Sequence, residues 1–244
     1  MRSFLRVWCA VGTTLLAAPL AGCTADTPPG KTGDLGNGVF SDVCDSDNDP
    51  VCDASEVGAL LNMPPEVAVE ARFSVEYTAS PFGDDSGGSV TIEPASDELL
   101  THTEAFGKSF KGIRPGVCAI LARRGEQVVD FVHVAIDVVD HVRVDRVNDN
   151  GDEPVAGIEA LDLVLDGDAA LRAYAANDAD TPLGGAQGVE WSSSDEAVVD
   201  FDSGTGDNEA TVRGVGPGTA TIVVEIGGVA TEIAVTVGAA GGGQ

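Results

Sequence analysis

The chain repeats itself, and the repeat sets the architecture. Around Pro115 it reads Phe110-Lys111-Gly112-Ile113-Arg114-Pro115-Gly116-Val117-Cys118-Ala119-Ile120. Around Pro217 it reads Val212-Arg213-Gly214-Val215-Gly216-Pro217-Gly218-Thr219-Ala220-Thr221-Ile222. The two stretches lie 102 residues apart and share one order: apolar, basic, Gly, apolar, any residue, Pro, Gly. Ser96-Asp97-Glu98 matches Ser194-Asp195-Glu196 at an offset of 98, and residues 131–136 match 232–237 at 101. The small drifts read as loop insertions. A unit of roughly 100 residues used twice implies two modules, each able to bury a core and to stack on the other.

Both units are patterned as β-structure. Apolar residues alternate in Phe73-Val75-Tyr77, Leu161-Leu163-Leu165, Ala220-Ile222-Val224 and Ile233-Val235-Val237, the period of a strand with one buried face. Asp84-Asp85-Ser86-Gly87-Gly88, Asn148-Asp149-Asn150-Gly151, Gly184-Gly185 and Gly227-Gly228 punctuate them as turns. Ala54 to Asn62 has the makings of one short helical turn, and no amphipathic helix of useful length is present. The expected fold class is all-β, with two tandem Greek-key β-sandwiches at 38–137 and 138–238. Val138 to Val144 should open the second as a strand. With no flexible linker between them, the copies should stack end to end as a semi-rigid rod. Residues 239–244 read as a frayed tail.

The second copy carries Val189-Glu190-Trp191-Ser192-Ser193-Ser194-Asp195, then Ala197-Val198-Val199, then Gly214 to Ile222. These match the V-x-W-x-S-S, A-x-V and G-x-x-x-G-x-A-x-I signatures, and residues 155–238 resemble the group 2 bacterial immunoglobulin-like domain. The resemblance implies an immunoglobulin-like sandwich with Trp191 as the buried strand-C tryptophan over the core. It also implies a module type common in bacterial surface and adhesion proteins. The first copy is a degenerate relative, with Ile92 standing where Trp191 stands.

Residues 1–22 read as a secretory signal: Arg2 and Arg6 start it, and Val7 to Leu20 is mostly apolar. The run is too short to span a bilayer, which takes about 20 apolar residues. It ends Leu20-Ala21-Gly22-Cys23, which resembles the lipobox of bacterial lipoproteins. That resemblance implies cleavage before Cys23, a thioether lipid on its sulfur and acylation of the new amine. The membrane partner would then be held by two or more acyl chains, which anchor stably where one holds marginally. The same resemblance implies that Thr24, in place of Asp after the cysteine, favours the outer membrane. Residues 23–37 are rich in Thr, Pro, Gly and Asp and read as a disordered tether spanning roughly 20 Å.

Composition removes one class of partner. Thirteen Lys and Arg against 40 Asp and Glu give a formal charge of −27, whereas nucleic-acid binding needs a basic face. In an exported chain disulfides are allowed. Seven residues separate Cys44 from Cys52, which favours a Cys44–Cys52 disulfide over one that uses Cys118. Cys118 aligns with Ala220 and should be a small buried hydrophobe. Asp42, Asp45, Asp47, Asp49 and Asp53 crowd this loop, and the alternating carboxylates of Asp45, Asp47 and Asp49, with Asp53, suit a hard cation such as calcium. Pro50 occupies the place of the turn glycine, and no Glu closes the loop, so a plain acidic turn is the competing reading. Asn148 to Asp152 is a weaker second cluster.

Chemistry is otherwise sparse. His102, His133 and His141 have no metal-ligand spacing, and no G-x-S-x-G elbow, P-loop or dinucleotide fingerprint occurs. Ser192 to Ser194 belong to the domain signature. No catalytic residue, small-molecule substrate or cofactor other than calcium is nominated. The sequence reads as a non-catalytic, lipid-anchored protein of the outer membrane. Its modules would serve as spacer and as binding or adhesion surface for a surface glycan or an envelope protein. The alternative is a periplasmic accessory or structural subunit of an envelope complex.

Overall fold

The computed structural model describes residues 30–44, 59–80, 89–103, 108–147, 155–201 and 208–239. Among them there is no helix, and the strands fall into two sets. The first holds β1 (Lys31–Thr32), β2 (Gly38–Val43), β3 (Leu60–Asn62), β4 (Glu66–Ala68), β5 (Arg72–Ala79), β6 (Thr91–Pro94), β7 (Leu100–His102), β8 (Ser109–Gly112), β9 (Gly116–Arg124) and β10 (Gln127–Asp137). The second holds β11 (His141–Val147), β12 (Ala160–Val164), β13 (Asp168–Ala176), β14 (Val189–Ser193), β15 (Val199–Phe201), β16 (Glu209–Gly214), β17 (Gly218–Ile226) and β18 (Val229–Gly238).

Each set makes a two-sheet sandwich with the same Greek-key wiring. In the first, β1-β2-β5-β8-β7, with β3 on β2, faces β4-β10-β9-β6; in the second, β11-β13-β16-β15 faces β12-β18-β17-β14. In both, a short early strand crosses to the other sheet and runs parallel to the last strand: β4 on β10 and β12 on β18. This is the immunoglobulin-like arrangement. The alternating residues fill the interiors. Phe40, Phe73, Val75, Phe110, Ile120, Val132 and Val134 form one core. Leu161, Leu163, Leu171, Ile222, Val224, Ile233 and Val235 form the other.

The repeat is kept in backbone angles and hydrogen bonds, with three corrections. Gly116 and Gly218 share a φ near +150° (149° and 154°). Glu70 and Asp166, 96 residues apart, both take left-handed conformations, with φ of 69° and 64°. The Ser-Asp-Glu match at 98 is one residue out of step: Ser96 O accepts from the Leu99 and Leu100 amides, and Asp195 O accepts from Val198 and Val199, which makes the offset 99. The step from 102 to 101 is a β-bulge rather than a loop insertion. The register of β10 on β9 shifts between Val128 and Asp130, whereas β18 on β17 runs without a break. The third correction concerns Ala54 to Asn62: residues 54–58 lie outside the described residues, and Leu60–Asn62 is a strand paired with β2 rather than part of a helical turn.

The expected tether also shortens. Lys31–Thr32 pairs with β2, and Asp34 N donates to Phe131 O at 2.8 Å. The fully buried Asp130 carboxylate accepts from the amides of Leu35 (2.9 Å), Asn37 (2.8 Å) and Phe131 (2.9 Å). A Cβ at Gly33 would run into that carboxylate. Three N–H donors satisfy a buried charge that would otherwise cost several kcal/mol, roughly. The first sandwich therefore begins by Gly30 rather than at Gly38, and residues 23–29 lie outside the described residues. The second sandwich opens at His141, after Val138–Asp140.

Candidate functional site

The feature that joins sequence to function is the seam between the sandwiches, built by residues 177–188. Asn177, nearly buried, organises it. Its Oδ1 accepts from the amides of Ala179 and Thr181, both at 3.0 Å, and its Nδ2 donates to Glu66 Oε2 at 2.6 Å. Those bonds turn the chain back along β13, where Leu183 N donates to Ala175 O at 2.8 Å and the Leu183 side chain enters the second core.

The segment then crosses to the first module and adds to its edge. Gly184 N donates to Glu66 O (2.9 Å), and Ala68 N to Gly184 O (3.1 Å). Ala186 N donates to Arg72 O (2.6 Å), and Arg72 N to Ala186 O (3.1 Å). Gln187 Nε2 reaches Val69 O at 3.2 Å. The strand edge left bare by β4 is thus paired from the other module, the geometry of β-augmentation. Only small residues fit. A Cβ on Gly184 would lie 2.6 Å from Pro64 Cβ, and one on Gly185, at φ +92°, 2.8 Å from Ala71 Cβ. Ala68 and Ala71 of the first module pack in the hydrophobic cluster of the second.

Beside the seam lies a groove of about 490 Å³, lined by Glu70, Arg72, Gln187, Glu190, Glu225 and the Gly227-Gly228 hairpin among others. Glu190 and Glu225 face each other across β14 and β17, a like-charge pair that destabilises unless a cation answers it. Arg72 lines the same groove, and Glu70 pairs with Lys111. The lining can accept hydrogen bonds from cations and amides and can ion-pair with an anion at Arg72.

The residues singled out from sequence are placed as follows. Trp191 is half-buried rather than sealed. It sits on β14, the edge of its sheet, packs against the second core and lies 6.3 Å from the Phe201 ring, centroid to centroid. Ile92 stands in the equivalent place on β6, paired with Ala122 as Trp191 is with Val224. Cys44 is buried and disulfide-bonded, and Cys118 is buried and free. Cys23, Cys52, Asp45, Asp47, Asp49 and Asp53 lie outside the described residues, as do Asp84–Gly88 and Asn148–Asp152. Among the described residues no group of three or more His, Cys, Asp or Glu gathers as a metal centre. His133 bonds Asp34 at 2.7 Å, His141 lies between Asp140 (3.3 Å) and Asp180 (3.2 Å), and His102 stacks on Phe110. Gly184-Gly185, a turn by its composition, is the crossing point between the modules, and the buried Asp130 carries no motif that marks it. The signal for Asp130 was a single charge inside the apolar run from Val128 to Val134.

No protein-family model matches the chain, and no curated protein matches it. Solved structures do. Domains 4 and 5 of the S-layer protein SbsC are 20% identical, covering 66% of this chain and 81% of that one, with a TM-score of 0.33. Domains 4–9 of the same protein are 18% identical over 78% of this chain and 27% of that one (TM-score 0.34). Invasin, described as a bacterial integrin-binding protein, is 16% identical over 72% of this chain and 38% of that one (TM-score 0.31). The chain spans 23% of each of two longer SbsC structures.

Proposed function

We propose that this chain is a non-catalytic, lipid-anchored protein of the outer membrane whose two immunoglobulin-like modules act together as a spacer and a binding surface. The seam carries the reading. Two modules that exchange four backbone hydrogen bonds and share a hydrophobic cluster hold one orientation, as a spacer must. The Leu-Ala-Gly-Cys motif supports anchoring through Cys23, at the end of the chain that precedes the first module. The second module, of group 2 bacterial immunoglobulin-like type by its motifs, is then carried away from the lipid. Binding falls to sheet edges, loop ends and the groove at the seam. The charge of −27 keeps such rods apart. The disulfide of Cys44 closes on Cys52, and Asp45, Asp47, Asp49 and Asp53 offer calcium a place on that loop.

The test is to express the full-length chain and Cys23→Ser in a bacterium with lipoprotein processing, fractionate the membranes and weigh the N-terminal peptide. The expected result is a wild-type chain in the membrane fraction with acyl mass on Cys23, and a Cys23→Ser chain without it. An unmodified Cys23, or a variant that stays with the membrane as the wild type does, would overturn the reading. Peptide mapping without reductant checks the Cys44–Cys52 link in the same samples.

A further inference from the structure

The face of the first module that receives residues 184–187 is built a second time, at the far end of the second module. The equivalence is close. Ala68 pairs with Asp137, and Val164 pairs with Gly238. Glu70 N donates to Gly112 O (2.9 Å), and Asp166 N to Gly214 O (2.8 Å). Gly112 N donates to Ala71 O (3.2 Å), and Gly214 N to Gly167 O (2.9 Å). A Cβ on Gly112 would meet Ala68 O at 2.8 Å, and one on Gly214 would meet Val164 O at 2.9 Å. Asp162, Val164 and Asp168 therefore stand where Glu66, Ala68 and Arg72 stand in the first module.

In the first module that edge is covered. Ala68 is 0% exposed, and its amide and the Glu66 carbonyl bond Gly184. In the second it is bare. Val164 is 60% exposed, Val215 beside Gly214 is 39% exposed, and no described residue bridges onto Asp162, Val164 or Asp168. An open strand edge flanked by exposed valines is a template for pairing.

We propose that this far edge binds an extended, glycine-bearing segment of a partner protein, in the way that Leu183-Gly184-Gly185-Ala186 binds the first module. The occupied copy defines the fit: two small residues at the crossing point, with backbone bonds to Asp162 O, Val164 N and both backbone groups of Asp168. Charge defines the flank. Asp168 replaces Arg72, and Asp162 and Asp166 are exposed beside it with Arg213 as the near cation, 3.5 Å from Asp166. The partner segment therefore carries Lys or Arg where this chain has Gln187. A second copy cannot supply its own 183–187 segment without opening its seam, so the partner is a different protein. The inference rests on the spacer-and-binding reading and names where binding occurs.

The probe is a fluorescent peptide copying residues 179–188 with Gln187→Lys, titrated onto the full-length chain in detergent and read by anisotropy. Hydrogen exchange with and without peptide locates it. The expected result is saturable binding, with protection at 160–168 and not at 66–72. Val164→Pro removes the edge N–H and should weaken binding about tenfold or more. Val164→Glu, which leaves the backbone intact, should weaken it as well, because the segment would have to cover a bulkier side chain and strip water from its carboxylate. Absence of binding, protection confined to 66–72, or Val164→Glu and Val164→Pro chains that bind as the wild type does would each overturn the proposal. None of these readouts depends on Cys23 or the membrane, so failure here leaves the anchoring test untouched.

Discussion

Asp130 shows how one side chain can decide where a domain begins. It lies at an inward position of β10, and its carboxylate is held by three amides, two of them from the turn before β2. Asp130→Ala strands those donors and should cost about 2–4 kcal/mol, read as a lower denaturant midpoint. The strand at residues 131–136 was legible from its match to 232–237, but the turn that satisfies the Asp130 carboxylate lies about 95 residues upstream in sequence, and no local pattern links the two. Composition misled at the same place: a Thr-, Pro- and Gly-rich run looks disordered until its backbone donors find a buried anion. Trp191 was legible as a core tryptophan, and half-burial at a sheet edge reduces its share. Trp191→Ala should cost about 2 kcal/mol rather than the larger loss of a sealed ring. Tyr77 adds a pH dependence. Burial first, then the Asp130 charge, raise its hydroxyl above the usual 10.0, with Arg124 pulling the other way. Burial does the same to Tyr174, against Arg172. The folded chain thus holds these protons more tightly than the unfolded chain. That contribution is whole below pH 10 and is lost as pH rises through the raised values. Denaturant midpoints taken from neutral to alkaline pH should fall above pH 10 in the wild type and fall less in a Tyr77→Phe, Tyr174→Phe chain.

Among the elements, the bulge at Val129 distinguishes the two copies. It adds one residue to β10 that β18 lacks, and it sits immediately before Asp130. Deleting Val129 would restore the continuous register of the second copy with Asp130 still opposite Ala122, and would remove the local kink and the Val129 carbonyl that accepts from Asn37 Nδ2 at 2.8 Å. The expected outcome is loss of hydrogen-exchange protection at Leu35 and Asn37, with the β9–β10 pairing retained. The strands themselves were largely legible, because period-two alternation is a local property. The 102-residue repeat likewise carried its information in the positions of Gly112, Gly116, Gly214 and Gly218, where backbone approach or a positive φ demands glycine. The Gly227-Gly228 turn is a two-residue hairpin with φ of 60° and 84°, read correctly from sequence because only glycine takes both angles without strain. Gly184-Gly185 carries the same signature and does a different job. Its small residues make room for the other module, and a sequence read one module at a time cannot show that.

At the scale of the whole molecule, the seam converts two domains into one body. Gly184→Val would place a branched side chain against Pro64 and should break the bridges to Glu66 and Ala68 without touching either core. Calorimetry should then show two transitions in place of a coupled one, and small-angle scattering a broader range of extents. On the proposed anchoring, the same seam bears on how far the chain reaches. A coupled pair of modules projects its far end to a fixed height above the lipid, and a freely hinged pair does not. The central claim is that an anchored spacer carries its binding surface outward. Protease shaving of intact cells, with mass spectrometry of the released peptides, tests it most directly. The account expects peptides from residues 138–238 in the supernatant before the outer membrane is opened. If those peptides appear only after the membrane is permeabilised, the outward-facing spacer is contradicted, and the chain belongs to a periplasmic assembly instead.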